Sequence, residues 1–128
     1  MKLFLGKYDH ILDERGRVTL PRKIRYEIHD ADLILSKGYD GCIFGFDREH
    51  WEREATRHLD TPVTDEHGRN VRRYLFASAE KVDLDKLGRI LVPTQLKEYA
   101  SIQKDVVVVG AGDHFELWNP VHWEKRPA

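Results

Sequence analysis

Cysteine is nearly missing from this sequence: Cys42 is the only one in 128 residues, so no internal disulfide framework is possible. That usage fits a reducing compartment. Long hydrophobic runs are missing too. The opening "MKLFLGKYDH" is too short an apolar stretch for a signal peptide, and nothing later is long enough to cross a bilayer, so a soluble, cytosolic protein without membrane contact is expected. Serine occurs three times, at Ser36, Ser78 and Ser101, never in a nucleophile-elbow context. Seven histidines show no H-x-x-x-H spacing and there is no C-x-x-C, so no metal, cofactor or small-molecule substrate is expected, and no catalysis. Cys42, inside "CIFGF", reads as a small buried hydrophobe, and His50 and His122 read as packing or capping residues.

Excess charge of one sign is also lacking, since the net value is −1. The distribution is uneven. Residues 2–25 carry seven Lys/Arg against three Asp/Glu, residues 26–66 four against eleven, and residues 67–128 ten against eight. Any affinity for a polyanion must therefore be local to the first segment.

What the chain does have is a repeat. "LDERGRVTLP" at 12–21 returns as "LDKLGRILVP" at 84–93, and shifting the whole sequence by 72 gives eleven identities over 56 pairs without a gap. The reading is two copies of one unit, 1–58 and 73–128, joined by a connector at 59–72. Each copy reads strand, strand, short helix, strand, strand, helix. Pro21 opens the first short helix at a tolerated first-turn position. The second helix is capped by Asp47 in one copy and Asn119 in the other. Phe46 with Trp51, and Trp118 with Trp123, stand at hydrophobic-staple positions. The connector is expected to hold a helix capped by Thr64. "VVVV" at 106–109 reads as an interior strand. A lone copy would leave open sheet edges, so the expected fold is α+β, with the two halves completing one another as a small mixed barrel.

In each hairpin, Asp13 or Asp85 at the first turn position and Gly16 or Gly88 at the fourth suit a type I turn with a glycine bulge. Arg17, and Arg89 after it, are not explained by turn geometry. Arg17 alternates with Val18 and Leu20, so it points off the apolar face within reach of Asp13. Two readings stay open: a salt bridge closing the turn, or an arginine held by the aspartate for a ligand. Arg suits bidentate recognition of phosphate or guanine. The surroundings differ between copies. Lys7, His10, Arg15, Arg22, Lys23 and Arg25 correspond to Ala79, Val82, Leu87, Thr94, Gln95 and Lys97. Copy two keeps Arg89 and gains Lys81 and Lys86, yet its outer face is greasier. The expectation is a division of labour, with the first hairpin and its helix on the polyanion and the second more buried, for instance against a neighbouring subunit.

"LDERGRVTLP" followed by the basic "RKIR" resembles the SpoVT–AbrB swapped-hairpin family of prokaryotic DNA-binding domains. Two such units, with "GYDGCIFGF" and "VVVVGAGDHFELW", resemble a bacterial transcription regulator built on that domain and encoded at the head of the division and cell-wall gene cluster. The resemblance implies tandem duplicated AbrB-like halves in a cytoplasmic, nucleoid-associated protein. It implies self-association into a ring and binding to short repeats in promoter duplex DNA, as a repressor of its own operon. It places DNA contact on Arg17, with Arg89 as its counterpart, and further contacts on His10 and Arg25; Arg15, Arg22, Lys23, Lys7 and Lys86 complete the candidate set. The alternative reading is an antitoxin-type protein-interaction module.

Overall fold

The computed structural model describes residues 1–127. Eight strands and five helices alternate along the chain: β1 (Lys7–Ile11), β2 (Arg17–Thr19), α1 (Arg22–Tyr26), β3 (Asp32–Lys37), β4 (Ile43–Asp47), α2 (Arg48–Leu59), α3 (Glu66–Ser78), β5 (Glu80–Asp83), β6 (Arg89–Leu91), α4 (Thr94–Ala100), β7 (Asp105–Gly110), β8 (Phe115–Trp118) and α5 (Pro120–Glu124). The α+β class and the duplicated hairpin unit are both present.

The hairpins are exchanged between the copies. β1 does not form a ladder with β2; it runs antiparallel to β7, pairing Lys7 with Val109 through to Ile11 with Asp105. β5 likewise pairs with β3, its neighbour from the first half. The outcome is a six-stranded antiparallel sheet in the order β1-β7-β8-β4-β3-β5, plus a two-stranded ribbon of β2 and β6. This sheet is open: its edges, β1 and β5, are not bonded to each other. The expected barrel therefore does not close, because the strands that would bridge the edges, β2 and β6, pair with one another instead.

β7 lies inside the sheet and is apolar on both faces, as its composition predicts. Val106 and Val108 face the main core with Phe4, Leu20, Ile24, Leu35, Ile90, Leu96 and Phe115. Val107 faces a smaller aromatic layer of Cys42, Phe44, Phe46 and Trp118, against which Trp51 and Trp123 pack. Both staples form, with Phe46–Trp51 and Trp118–Trp123 centroids each 5.4 Å apart. Asp47 caps α2 and Asn119 caps α5. Cys42 is buried, and its thiol pKa is raised by burial.

Three local expectations need correction. α3 is capped by Asp65, whose Oδ2 accepts from Gly68 N–H at 2.7 Å; Thr64 only offers its carbonyl to Arg69. Pro21 and Pro93 sit at the N-cap, one place before the first helical turn, where their carbonyls accept the opening helical bonds. His50 is buried, bonded to Asp47 at 2.6 Å and packed against the Phe4 ring, but its counterpart His122 has neither partner among the described residues and is exposed.

Candidate nucleic-acid interface

One aspartate organises each hairpin turn. Asp13 Oδ1 accepts from the backbone N–H of Arg15 and Arg17, both at 2.9 Å, while Oδ2 accepts from Arg17 Nε at 2.7 Å. Gly16 closes the turn, donating to Asp13 O at 3.0 Å with a φ of +80° that favours glycine. The second hairpin repeats this atom for atom. Asp85 Oδ1 accepts from Leu87 N–H at 2.9 Å and Arg89 N–H at 2.8 Å, Oδ2 accepts from Arg89 Nε at 2.8 Å, and Gly88 has φ +79°. Backbone bonds from Arg17 and Arg89, helped by their side chains, hold both carboxyls below the usual carboxylate range.

This geometry unites the two readings of Arg17. The bridge to Asp13 is made through Nε, so it fixes the direction of the side chain. The terminal guanidinium nitrogens have no internal partner among the described residues. Such a fork is oriented and still available.

The ribbon then brings the two arginines together. Its register sets Arg17 opposite Leu91, Val18 opposite Ile90 and Thr19 opposite Arg89. Val18 and Ile90 are buried, so alternation turns Arg17, Thr19, Arg89 and Leu91 to the outer face. Arg17 and Arg89 are diagonal neighbours, about 7–8 Å apart at Cα. Within one subunit the second hairpin is as exposed as the first: both arginine side chains are 27% exposed and both aspartates 36%. Its greasy outer residues, Leu87 and Leu91, are open to solvent.

The remaining candidates separate. Arg15 and Lys86 are exposed at the two turn tips. Arg25 leaves its own hairpin and lies across Gly88 of the other, where an added Cβ would fall 2.1 Å from Arg25 Nη1. Arg22 and Lys23 are not on the ribbon; with Leu3, Leu5, Tyr26 and Glu27 they line an open groove of about 320 Å³. Lys7, on β1, stands 3.5 Å from Asp9. His10, half-buried on the same strand, sits opposite Val106 in the sheet, away from the β2–β6 ladder. Sequence reasoning missed the ribbon itself, because three-residue strands carry too little periodicity to reveal their partner. No group of three His, Cys, Asp or Glu among the described residues is placed to hold a metal, and no helix among them is long and apolar enough to cross a membrane.

A tandem Asp-braced hairpin of this kind matches one protein family over nearly the whole chain. The family model described as "MraZ protein, putative antitoxin-like" fits residues 3–73 and again 75–126. This chain belongs to the MraZ family. Proteins named "Transcriptional regulator MraZ" from Lactiplantibacillus plantarum and Acetivibrio thermocellus are 37% and 39% identical to it, over 96% and 95% of this chain and 86% and 85% of theirs. Among solved structures, the solution structure of PHS018 from Pyrococcus horikoshii aligns with 91% of this chain and 98% of its own, at 14% identity and a TM-score of 0.39, a likeness too distant to carry argument. The match of the MraZ model to each half in turn parallels the two hairpins that meet in the ribbon.

Proposed function

We propose that this chain is a sequence-specific DNA-binding transcription regulator that reads duplex DNA with the outer face of the β2–β6 ribbon. The observation that carries the reading is the pair of identically braced arginines side by side on that face. A two-stranded ribbon fits the major groove of B-DNA. A separation of about 7 Å spans about two base steps of 3.4 Å, so Arg17 and Arg89 can address base pairs two steps apart. The names of the MraZ relatives support the same function.

The target is proposed to be a set of short repeats in the promoter of its own operon, with repression as the result. One ribbon makes few phosphate contacts, and each adds about 0.9 to the slope of log affinity against log salt, so a single subunit holds DNA weakly at cellular ionic strength. Self-association into a ring would present several ribbons. Each further contact then becomes intramolecular, worth on the order of a hundredfold when the spacing fits. Exposed Leu3, Leu5 and Tyr26, in the groove away from the ribbon, offer apolar surface for such assembly. The same groove beside α1 is where the antitoxin-type alternative would place a protein partner.

The test is a salt-dependent binding curve on the region upstream of its own gene. Arg17→Ala and Arg89→Ala are each expected to lose about 1–3 kcal/mol of base discrimination, with assembly intact. Scrambling one repeat should cost far more than one site's share of affinity. Wild-type binding that ignores sequence, or unchanged binding by both variants, overturns the reading.

A further inference from the structure

Hairpin exchange does more than build a sheet: it moves cations from one repeat onto the other. The Gly16 carbonyl accepts from Val92 N–H at 3.0 Å, and the Gly88 carbonyl accepts from Leu20 N–H at 2.9 Å, so each turn is docked against the strand exit of the opposite copy. The helix following each exit delivers a basic side chain to the same place. Arg25 of α1 lies over Gly88. Lys97 of α4 lies over Gly16, where an added Cβ would fall 2.9 Å from Lys97 Nζ, with Leu91 Cδ1 at 4.0 Å. Glycine is required at both turns for its positive φ, and at Gly88 also for the Arg25 side chain resting on it, whereas Lys97 meets Gly16 only with its flexible end.

Neither cation is consumed inside the protein. Lys97 and Arg25 make no ion pair with any described carboxylate, and Arg25 Nε is the one buried side-chain nitrogen or oxygen without a hydrogen-bond partner among the described residues. A half-buried cation with no anion beside it is stabilised when an external anion arrives.

We propose that each DNA-reading unit is a hybrid of the two repeats: Lys97 completes the phosphate-binding surface of the first hairpin beside Arg17, and Arg25 completes that of the second beside Arg89. Lys97 thus joins the interface, although the first segment holds most of the basic residues. The inference rests on the proposed DNA-binding role of the ribbon, and it fixes which residues act together.

The experiment measures binding of the full-length assembled protein to its own upstream DNA across a salt series, with a scrambled duplex of equal length alongside. Lys97→Met keeps the aliphatic stem over Gly16 and removes the charge. It is expected to weaken binding to both duplexes alike and to lower the salt slope by about 0.9 per site, with Lys97→Arg restoring both. In double-mutant cycles, Lys97→Met with Arg17→Ala should depart from the product of the single effects by about threefold or more, while Lys97→Met with Arg89→Ala should multiply. A wild-type slope for Lys97→Met, or coupling of Arg17 to Arg25 in place of Lys97, overturns the hybrid unit. If Arg17→Ala and Arg89→Ala also bind like wild type, the DNA reading itself fails, a result distinct from loss of the hybrid alone.

Discussion

Two glycines two places apart, Gly110 and Gly112, are required for different reasons, and substituting each by alanine separates them. The N-terminal segment runs directly over Gly110. A Cβ there would lie 2.4 Å from both Leu5 N and Phe4 C, and 2.6 Å from Leu5 Cα. These are backbone atoms, which no rotamer change can move, so Gly110→Ala must lift the segment away. That segment is held by Phe4 N–H to Gly112 O at 2.8 Å, Gly112 N–H to Phe4 O at 2.9 Å and Gly110 N–H to Gly6 O at 2.8 Å. It is also held by the fully buried Phe4 ring, 5.7 Å from Phe115 and 5.5 Å from His50 between centroids. Removing a buried Phe from a core costs about 3–5 kcal/mol. The backbone bonds are largely remade with water, at about 1 kcal/mol each. Full expulsion of the segment by Gly110→Ala is therefore expected to destabilise by about 6–8 kcal/mol, a large part of an ordinary domain stability of about 5–15 kcal/mol. Gly112 has φ +90° and open space around it, so Gly112→Ala carries only the left-handed penalty of about 1–2 kcal/mol. The assay is urea unfolding at one fixed protein concentration, since assembly adds to apparent stability. Phe4→Ala supplies the decisive control: if expulsion of the segment is the mechanism, adding Gly110→Ala to it costs only the share of the three backbone bonds, about 3 kcal/mol more. Full additivity of the two, or a Gly110→Ala midpoint close to wild type, refutes this account.

The imidazole of His114 offers a pH test. Its Nδ1 lies 2.8 Å from Asp113 and its Nε2 2.8 Å from Glu116, whose other oxygen accepts from Trp118 Nε1, and Phe44 packs against the ring. Burial alone would lower the His114 pKa, but the bonds to Glu116 and Asp113 outweigh it and raise it. Its contribution is therefore complete below the unfolded value of about 6.5 and fades as pH rises through the higher folded value. The stability gap between wild type and His114→Gln should shrink on going from about pH 6 to pH 9 in urea titrations; a gap independent of pH would contradict the charged clamp. At the helix caps, Asp47→Ala should cost about 3 kcal/mol or more, because it removes a cap, strands the buried His50 (2.6 Å) and leaves Lys2, now 2.7 Å from Asp47, with only Glu49 at 3.3 Å. Asn119→Ala removes a cap and the Nδ2 donation to Ser101 O at 2.7 Å, both exposed, and should cost about 2 kcal/mol by the same denaturation assay.

The parts legible in the sequence are those made by contacts close along the chain. The brace of Arg17 by Asp13, the glycine turn, the Asp47 and Asn119 caps and the two tryptophan staples each join residues within five positions, so side-chain chemistry and spacing define them. Thr64 was misread as a cap for an equally local reason: Asp65, its neighbour, is a better acceptor in the right place. The double-sided valine strand was legible because burial on both faces leaves no room for alternation.

Strand partnership was decided elsewhere. Nothing in "KYDHI" says that it bonds to "DVVVV" a hundred residues away and not to "RVT" across its own turn; both options satisfy the same backbone groups. What separates them is how the two halves bury their shared apolar faces, a property of the assembled core. From that one choice follow the open sheet, the ribbon that sets Arg17 beside Arg89, and the crossing of Lys97 and Arg25 onto each other's hairpins. The sequence by itself determined that two braced arginines exist and how each is held; only the tertiary structure decided that they share one face and which cations stand next to them, because non-local pairing is selected by total burial and not by any local pattern.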